Sequence, residues 1–338
     1  MKKTLAMLLL LGVAAVAFAQ EEADFPPVTS LEELKKIAEE TAAGIEGRVG
    51  VYVLHVESGE EFGIAESEYF GLASVFKVPL LVTLFKAIDE GYYSLDDRLV
   101  LTERMKTYGS GLLGAMKAGL NPSINDVQLL MMAVSDNTAT DILFDLVGPE
   151  RIAAYMAELG LTKTVVDLDT RKLILGYLGL DMDSELTREE LGRVPEEYWM
   201  GAERQERMKQ FDSELHDVST PYEIGQIWAK MVRGEIVDRE TSDTVMATCR
   251  HHTGARLITR YMPFGVSVAR KGGSLGRDGR DTVLNDSGII FMPDKAGHVV
   301  VCVFGNDLFS EGWKFEVAAG KISRAAYDYF HGKYKQDD

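Results

Sequence analysis

Residues 264–307 read FGVSVARKGGSLGRDGRDTVLNDSGIIFMPDKAGHVVVCVFGND. Three runs in this stretch, FGVSVARKGG, DSGIIFMP and HVVVCVFGND, have the apolar, β-branched composition of strands. The links between them are short, and parallel neighbours need crossovers of a dozen or more residues, so successive strands here are expected to pair antiparallel. Near the other end of the chain, RVGVYVLHVES at 48–58 reads as a strand. The Ser58-Gly59 turn leads from it into a second short strand near Glu61 to Ala65. A Ser30–Glu33 capping box opens a helix through about Thr41, and a closing helix covers about 311–329. Between the two strand groups the pattern is helical from Val75 to Phe144, with Asn125 and Asp126 as caps for LLMMAV. A further helix runs from Asp136 to Val147, Pro149 suits the first turn of the next, and Thr220-Pro221 opens one to about Val232. Another covers roughly 239–250. The expected architecture is an α/β (α+β) sandwich. A five-stranded antiparallel sheet flanked by helices is drawn from both chain ends, 20–71 plus 219–338, and an all-helical domain, 72–218, is inserted between them.

The chain begins MKKTLAMLLLLGVAAVAFAQEE: two lysines, an apolar run from Leu5 to Ala17, and the small-residue pattern Ala17-Phe18-Ala19. This pattern predicts a cleaved secretory signal over residues 1–19, because the run is shorter than the ~20 residues of a membrane span. No Cys lies nearby to accept a lipid. The mature chain is therefore expected in a periplasm or outside the cell, without a membrane anchor and as a monomer. Loss of Lys2 and Lys3 with that segment takes the formal charge from −17 to −19. A chain this acidic lacks the basic surplus that drives nucleic-acid binding. Cys249 and Cys302 sit where a disulfide is permitted, and the sequence leaves both the bridge and two free thiols open. Residues 181–217 carry twelve acids against five basic residues, with a Thr187–Glu190 capping box, and read as a solvated helical insertion.

Ser74 and Lys77 stand three apart in FGLASVFKVPL, residues 70–80. On a helix they share a face. A serine hydroxyl is a poor nucleophile until a base takes its proton, and a lysine desolvated among Val75, Phe76, Val78, Pro79 and Leu80 can become that base. Taken alone the spacing means little, since about one Ser-x-x-Lys match arises by chance in a chain this long. Two further elements add to it: Ser135-Asp136-Asn137 at a helix junction and Lys271-Gly272-Gly273 on a predicted strand.

In this order the three elements resemble S-x-x-K, S-D-N and K-T-G of class A β-lactamases and penicillin-binding proteins. The flanking runs ASVFKVPLLV, AVSDNTATDIL, Ser219-Thr220-Pro221 and NDSGIIFMP agree, over roughly residues 30–335 apart from the insertion. The resemblance implies that Ser74 is acylated, that Lys77 is its base or proton relay, and that Ser135 passes a proton to the leaving nitrogen. Asn137 would bond substrate and Lys77, Asp136 would hold the turn, and Lys271 would bind a substrate carboxylate and polarise Ser135. The backbone N–H groups of Ser74 and Ser274 would form the oxyanion hole. It implies a small β-lactam or peptidoglycan-derived substrate and neither metal nor cofactor.

Two departures stand out. K-G-G replaces K-T-G, so the hydroxyl beside the substrate carboxylate is missing at Gly272; Ser274, Arg277 or Arg280 are the available substitutes. After Thr164, where class A β-lactamases carry the Glu that activates water for deacylation, the chain reads TVVDLDTRKLIL. The carboxylates open to that role are Asp167, Asp169 and Glu214. Three other features are expected to be structural. The run Gly109 to Gly114 fits G-x-G-x-x-G but follows no strand. His251 and His252 are neighbours that point apart on a helix and are expected at the surface. The Tyr198-Trp199-Met200 cluster fits either a cleft lining or an amphipathic helix resting on the core.

Overall fold

The computed structural model describes residues 25–309 and 312–336, so the expected signal sequence lies outside the described residues. The strands are β1 Arg48–His55, β2 Glu60–Ile64, β3 Phe70–Gly71, β4 Val218–Ser219, β5 Ser267–Arg277, β6 Arg280–Phe291 and β7 His298–Asn306. The five long ones form one sheet in the order β2-β1-β7-β6-β5, every neighbouring pair antiparallel, and β3 pairs with β4 in a two-stranded ribbon. The last strand of the chain lies at the centre, next to the first. Both faces of the central strands are buried, which is why they read as unbroken apolar runs rather than alternating ones. Val51, Val53, Val299, Val301 and Val303 face one core, while Tyr52, Leu54, Val300, Cys302 and Phe304 face the other.

Helices α1 Leu31–Ala43 and α12 Gly312–Tyr334 cover the first face. The second face meets α10 Pro221–Arg233 and, beyond it, α2 Lys77–Asp89, α3 Ile124–Ala133, α4 Asn137–Val147, α5 Pro149–Glu158 and α11 Arg239–Cys249. From Lys77 to Phe85 every residue of α2 is buried. A helix apolar on all sides belongs in an interior, and α2 is the post around which the other helices pack. No helix among the described residues is long and apolar enough to cross a membrane.

Four details differ from expectation. Residues 90–123, expected to be helical, form an irregular loop with only short 3₁₀ turns. Its glycines explain this: Gly91, Gly109, Gly111 and Gly119 all take positive φ, which a continuous helix excludes. The cap of α3 is Ser123 with Asp126, not Asn125. Strand β6 begins at Arg280, six residues before the apolar run that announces it. The acidic stretch is more than a solvated face. After α6 Thr170–Tyr177 come α7 Arg188–Leu191, α8 Glu196–Trp199 and α9 Ala202–Ser213. On α9 the buried Arg204 donates to Leu178 O and Trp199 O and pairs with Asp278 at 2.8 Å. Asp212 takes both terminal nitrogens of Arg277, at 2.8 and 2.9 Å. The insertion is thus clamped to the β5–β6 hairpin. Cys249 and Cys302 are buried free thiols.

Candidate active site

Ser74 sits in a 3₁₀ turn, Ala73–Phe76, that runs straight into α2 at Lys77. Two asparagines of the sheet hold the approach to it. Asn285 on β6 donates to Gly71 O and Leu72 O at 2.8 and 3.0 Å, and Asn306 on β7 accepts from Gly71 N at 2.6 Å. Strand β5 presses on the turn itself. A Cβ added to Gly273 would lie 2.7 Å from Ser74 N and 2.9 Å from Leu72 O, so only glycine fits between sheet and serine.

Ser135 takes φ +55°, a left-handed turn that lets Asp136 cap α4 by accepting from Ala139 N. The other Asp136 oxygen accepts from Leu112 N and Leu113 N at 2.6 and 2.7 Å. The run Gly109 to Gly114 therefore cradles the Ser135-Asp136-Asn137 turn. A Cβ on Gly111 would lie 2.3 Å from Asp136 Cγ. Ser110 Oγ donates to Ser135 O at 2.7 Å, and Asn137 Nδ2 donates to Tyr108 O at 3.0 Å.

Lys77 and Lys271 are both 0% exposed and converge on one hydroxyl. Lys77 Nζ donates to Ser135 O and Asn137 Oδ1, each at 2.8 Å, and lies 3.0 Å from Ser135 Oγ. Lys271 Nζ lies 3.0 Å from the same Oγ. Burial pushes Lys77 down to about 7, against the opposing charges of Asp141 and Asp136. Burial, then the charge of Lys77, holds Lys271 well below the ordinary lysine range. The first two partners of Lys77 only accept, so a neutral Lys77 spends its two N–H groups on them and turns its lone pair to Ser135 Oγ. Lys271 donates to that oxygen from the other side. Ser135 is thus arranged to hand its proton on and be resupplied. Among the described residues no hydrogen bond joins Lys77 to Ser74; the contacts of Nζ are Ser135 O, Ser135 Oγ and Asn137 Oδ1.

A cleft of about 460 Å³ is lined by Ser74, Ser135, Asn137, Thr170, Gly272 and Ser274, among others. Strand β5 is an edge strand. Its Gly272 N–H points off that edge to His252 Nε2 at 3.2 Å, and by the two-residue period the Ser274 N–H points the same way, toward the cleft. His252 is thus not a surface residue. Its Nδ1 bonds Met132 O at 2.8 Å, and burial with the charges of Lys271 and Arg270 pushes it down to about 2, so it is neutral. His251 is exposed.

Of the carboxylates considered for deacylation, none lines this cleft. Asp169 caps α6 by accepting from Lys172 N at 2.7 Å. Asp167 and Glu214 each bond a ring nitrogen of His216 at 2.7 Å, and Glu214 borders a separate groove together with Arg277 and Arg280. The wall offered by the loop after Thr164 is Thr170, Leu173 and Ile174. Thr170 Oγ1 is buried without a hydrogen-bond partner. The Tyr198-Trp199 pair rests on a small apolar cluster with Leu175 and Leu180, away from the cleft. Sequence reading missed Asn285, Asn306, His252 and Thr170. Only Asn285 carried a signal, as the first residue of the run NDSGIIFMP that takes part in the resemblance.

The family model for the beta-lactamase enzyme family matches residues 32–330. The extended-spectrum beta-lactamase PER-1 of Pseudomonas aeruginosa is 27% identical over 303 residues, 88% of this chain and 87% of that protein. The imipenem-hydrolyzing beta-lactamase of Enterobacter cloacae is 24% identical, covering 83% and 84%. Among solved structures, a beta-lactamase from Sphaerobacter thermophilus superposes with a TM-score of 0.67 at 28% identity, covering 87% of this chain and 95% of that one. With the match running from the first helix to the last, this chain belongs to the beta-lactamase enzyme family.

Proposed function

We propose that the protein is a serine hydrolase of the class A β-lactamase type that opens β-lactam amides through an acyl-enzyme on Ser74. The observation that carries this reading is the Ser135 hydroxyl, 3.0 Å from both Lys77 Nζ and Lys271 Nζ, in the cleft that Ser74 lines. Neutral Lys77 takes the Ser74 proton as the Ser74 oxygen bonds to the lactam carbonyl carbon. The developing oxyanion is met by the N–H groups of Ser74 and Ser274. The C–N bond then breaks as Ser135 gives its proton to the nitrogen, and Lys77 returns a proton to Ser135. Lys271, with Ser274, receives the substrate carboxylate; Asn137 orients substrate and Lys77. Gly272 and Gly273 let the substrate lie close against the edge of β5. The lysine-rich, apolar first residues fit an exported enzyme.

A second reading is favoured by the cleft wall. Thr170, Leu173 and Ile174 offer no carboxylate to activate water. In that reading the enzyme is a D,D-peptidase or esterase relative that β-lactams acylate and that releases them slowly. Intact-mass measurement over time with a penicillin separates the two. A transient adduct with accumulating product supports hydrolysis, a persistent adduct supports the slow-release reading, and no adduct excludes both in favour of a ligand-binding module.

A further inference from the structure

Helix α4 places Asn137 and Asp141 four residues apart, one turn below each other on one face. Asn137 Oδ1 touches Lys77 Nζ at 2.8 Å. The Asp141 carboxyl beneath it is buried and accepts from the first two N–H groups of α6, Thr170 N at 2.7 Å and Arg171 N at 3.3 Å. It does not line the cleft, and its hydrogen bonds go to the α6 backbone. Asp136, the other acid near Lys77, is tied by three backbone N–H groups of the loop and the α4 cap. Asp141 has no such role in holding the motif.

We propose that Asp141 sets the charge of Lys77: it is the positioning residue that fixes the pH at which Lys77 can take the Ser74 proton. This rests on the acyl-enzyme reading above. Burial drives Lys77 toward the neutral amine, and the Asp141 charge is the strongest influence holding it as ammonium, ahead of Asp136. Asp141 is itself raised to about 7, by burial and then by the charge of Asp169 across the loop. Two groups titrating in one range, each acting on the other, lose their protons as a pair. The remaining groups around them are Lys271 from β5, neutral His252 after α11, Tyr108 from the loop before α3, and Asp169 and Arg171 at the start of α6.

The arrangement predicts opposite responses from two variants. In Asp141→Asn an amide oxygen still accepts from Thr170 N, but the negative charge is gone. Lys77 then gives up its proton more readily, and the acidic limb of the acylation rate moves down by about one pH unit. In Asp169→Asn the α6 cap is kept, because Asn caps as well as Asp. Removing that charge lets Asp141 ionise at lower pH, so Lys77 is held as ammonium longer and the limb moves up. The experiment is the rate of penicillin-adduct formation by quenched intact mass, followed across neutrality for wild type and both variants. A downward shift in Asp141→Asn with an upward one in Asp169→Asn supports the proposal. Adducts that form in all three with one unmoved midpoint overturn it, and a purely structural role for Asp141 gives that result. If Asp141→Asn does not fold, Asp169→Asn decides alone: an upward shift supports the proposal and no shift overturns it. Absence of an adduct in wild type at every pH removes the acyl-enzyme reading and this inference with it.

Discussion

Gly273 is where the sheet touches the proposed nucleophile, and its missing side chain is a condition of the site. A methyl group there meets Ser74 N at 2.7 Å, Leu72 O at 2.9 Å and Val75 N at 3.0 Å, all backbone atoms that cannot swing aside. Gly273→Ala is expected to displace the serine and slow adduct formation about 100-fold, the cost of a misplacement near 1 Å. An unchanged rate removes the close approach from the mechanism. Thr170 gives the complementary test. It lines the cleft, and its hydroxyl is buried without a partner, in the loop where the resemblance leads one to look for a carboxylate. Thr170→Glu is expected to shorten the adduct lifetime at least about 100-fold, the low side of what a placed general base contributes. A lifetime equal to wild type in a folded variant means that Thr170 does not face the acyl carbonyl. The residues that were legible in the sequence are those whose spacing is local: Ser74 with Lys77, and Ser135 with Asn137. Asn306 and His252 became visible only in three dimensions, since each acts on a residue far away in the chain, Gly71 or Gly272.

The element that controls the cleft wall is the long loop between Val165 and Val218, whose ends are joined by a bond from Val165 N to Val218 O at 2.8 Å. Asp217 closes its neck. The carboxyl accepts from Asp167 N and Leu168 N through one oxygen, while the other is buried without a partner. Burial, reinforced by the charges of Asp167 and Asp169, holds Asp217 protonated well above the ordinary carboxylate range. A carboxyl raised in the fold gives stability at acid pH that is lost as pH rises from its unfolded value through its folded one. Asp217→Asn keeps an acceptor for both N–H groups and suits the φ of +44° at this position. It is expected to flatten that loss, adding about 2 kcal/mol at alkaline pH and little at acid pH. Melting temperature measured against pH checks this, and parallel curves for variant and wild type refute it. His216 adds slope of the same sign: burial lowers it, but hydrogen bonds to Asp167 and Glu214 raise it overall. At this scale β1 and β7 were readable because burial on both faces makes them nearly continuously apolar. The ribbon of β3 and β4 was not, since two residues have no periodicity to detect.

Across the described residues, strands from before and after the helical region enter one sheet, and the two cores on its faces are separated by those strands. Cys302 stands on the central β7 and Cys249 near the end of α11, and both belong to the core between sheet and helices. Sequence could not decide between bridge and free thiols, because pairing depends on where α11 packs against the sheet. The structure leaves both thiols free and buried. Burial pushes Cys249 up to about 12 and raises Cys302 well above the usual thiol range, so neither supplies the thiolate that oxidation and alkylation require. The fold itself is expected to keep them reduced in an oxidising compartment. A thiol-reactive mass tag should therefore add to neither cysteine in the native protein and to both in denaturant without reductant. A denatured protein that takes no tag until reductant is added contains the bridge, and the packing of α11 against β5 and α10 is then wrong.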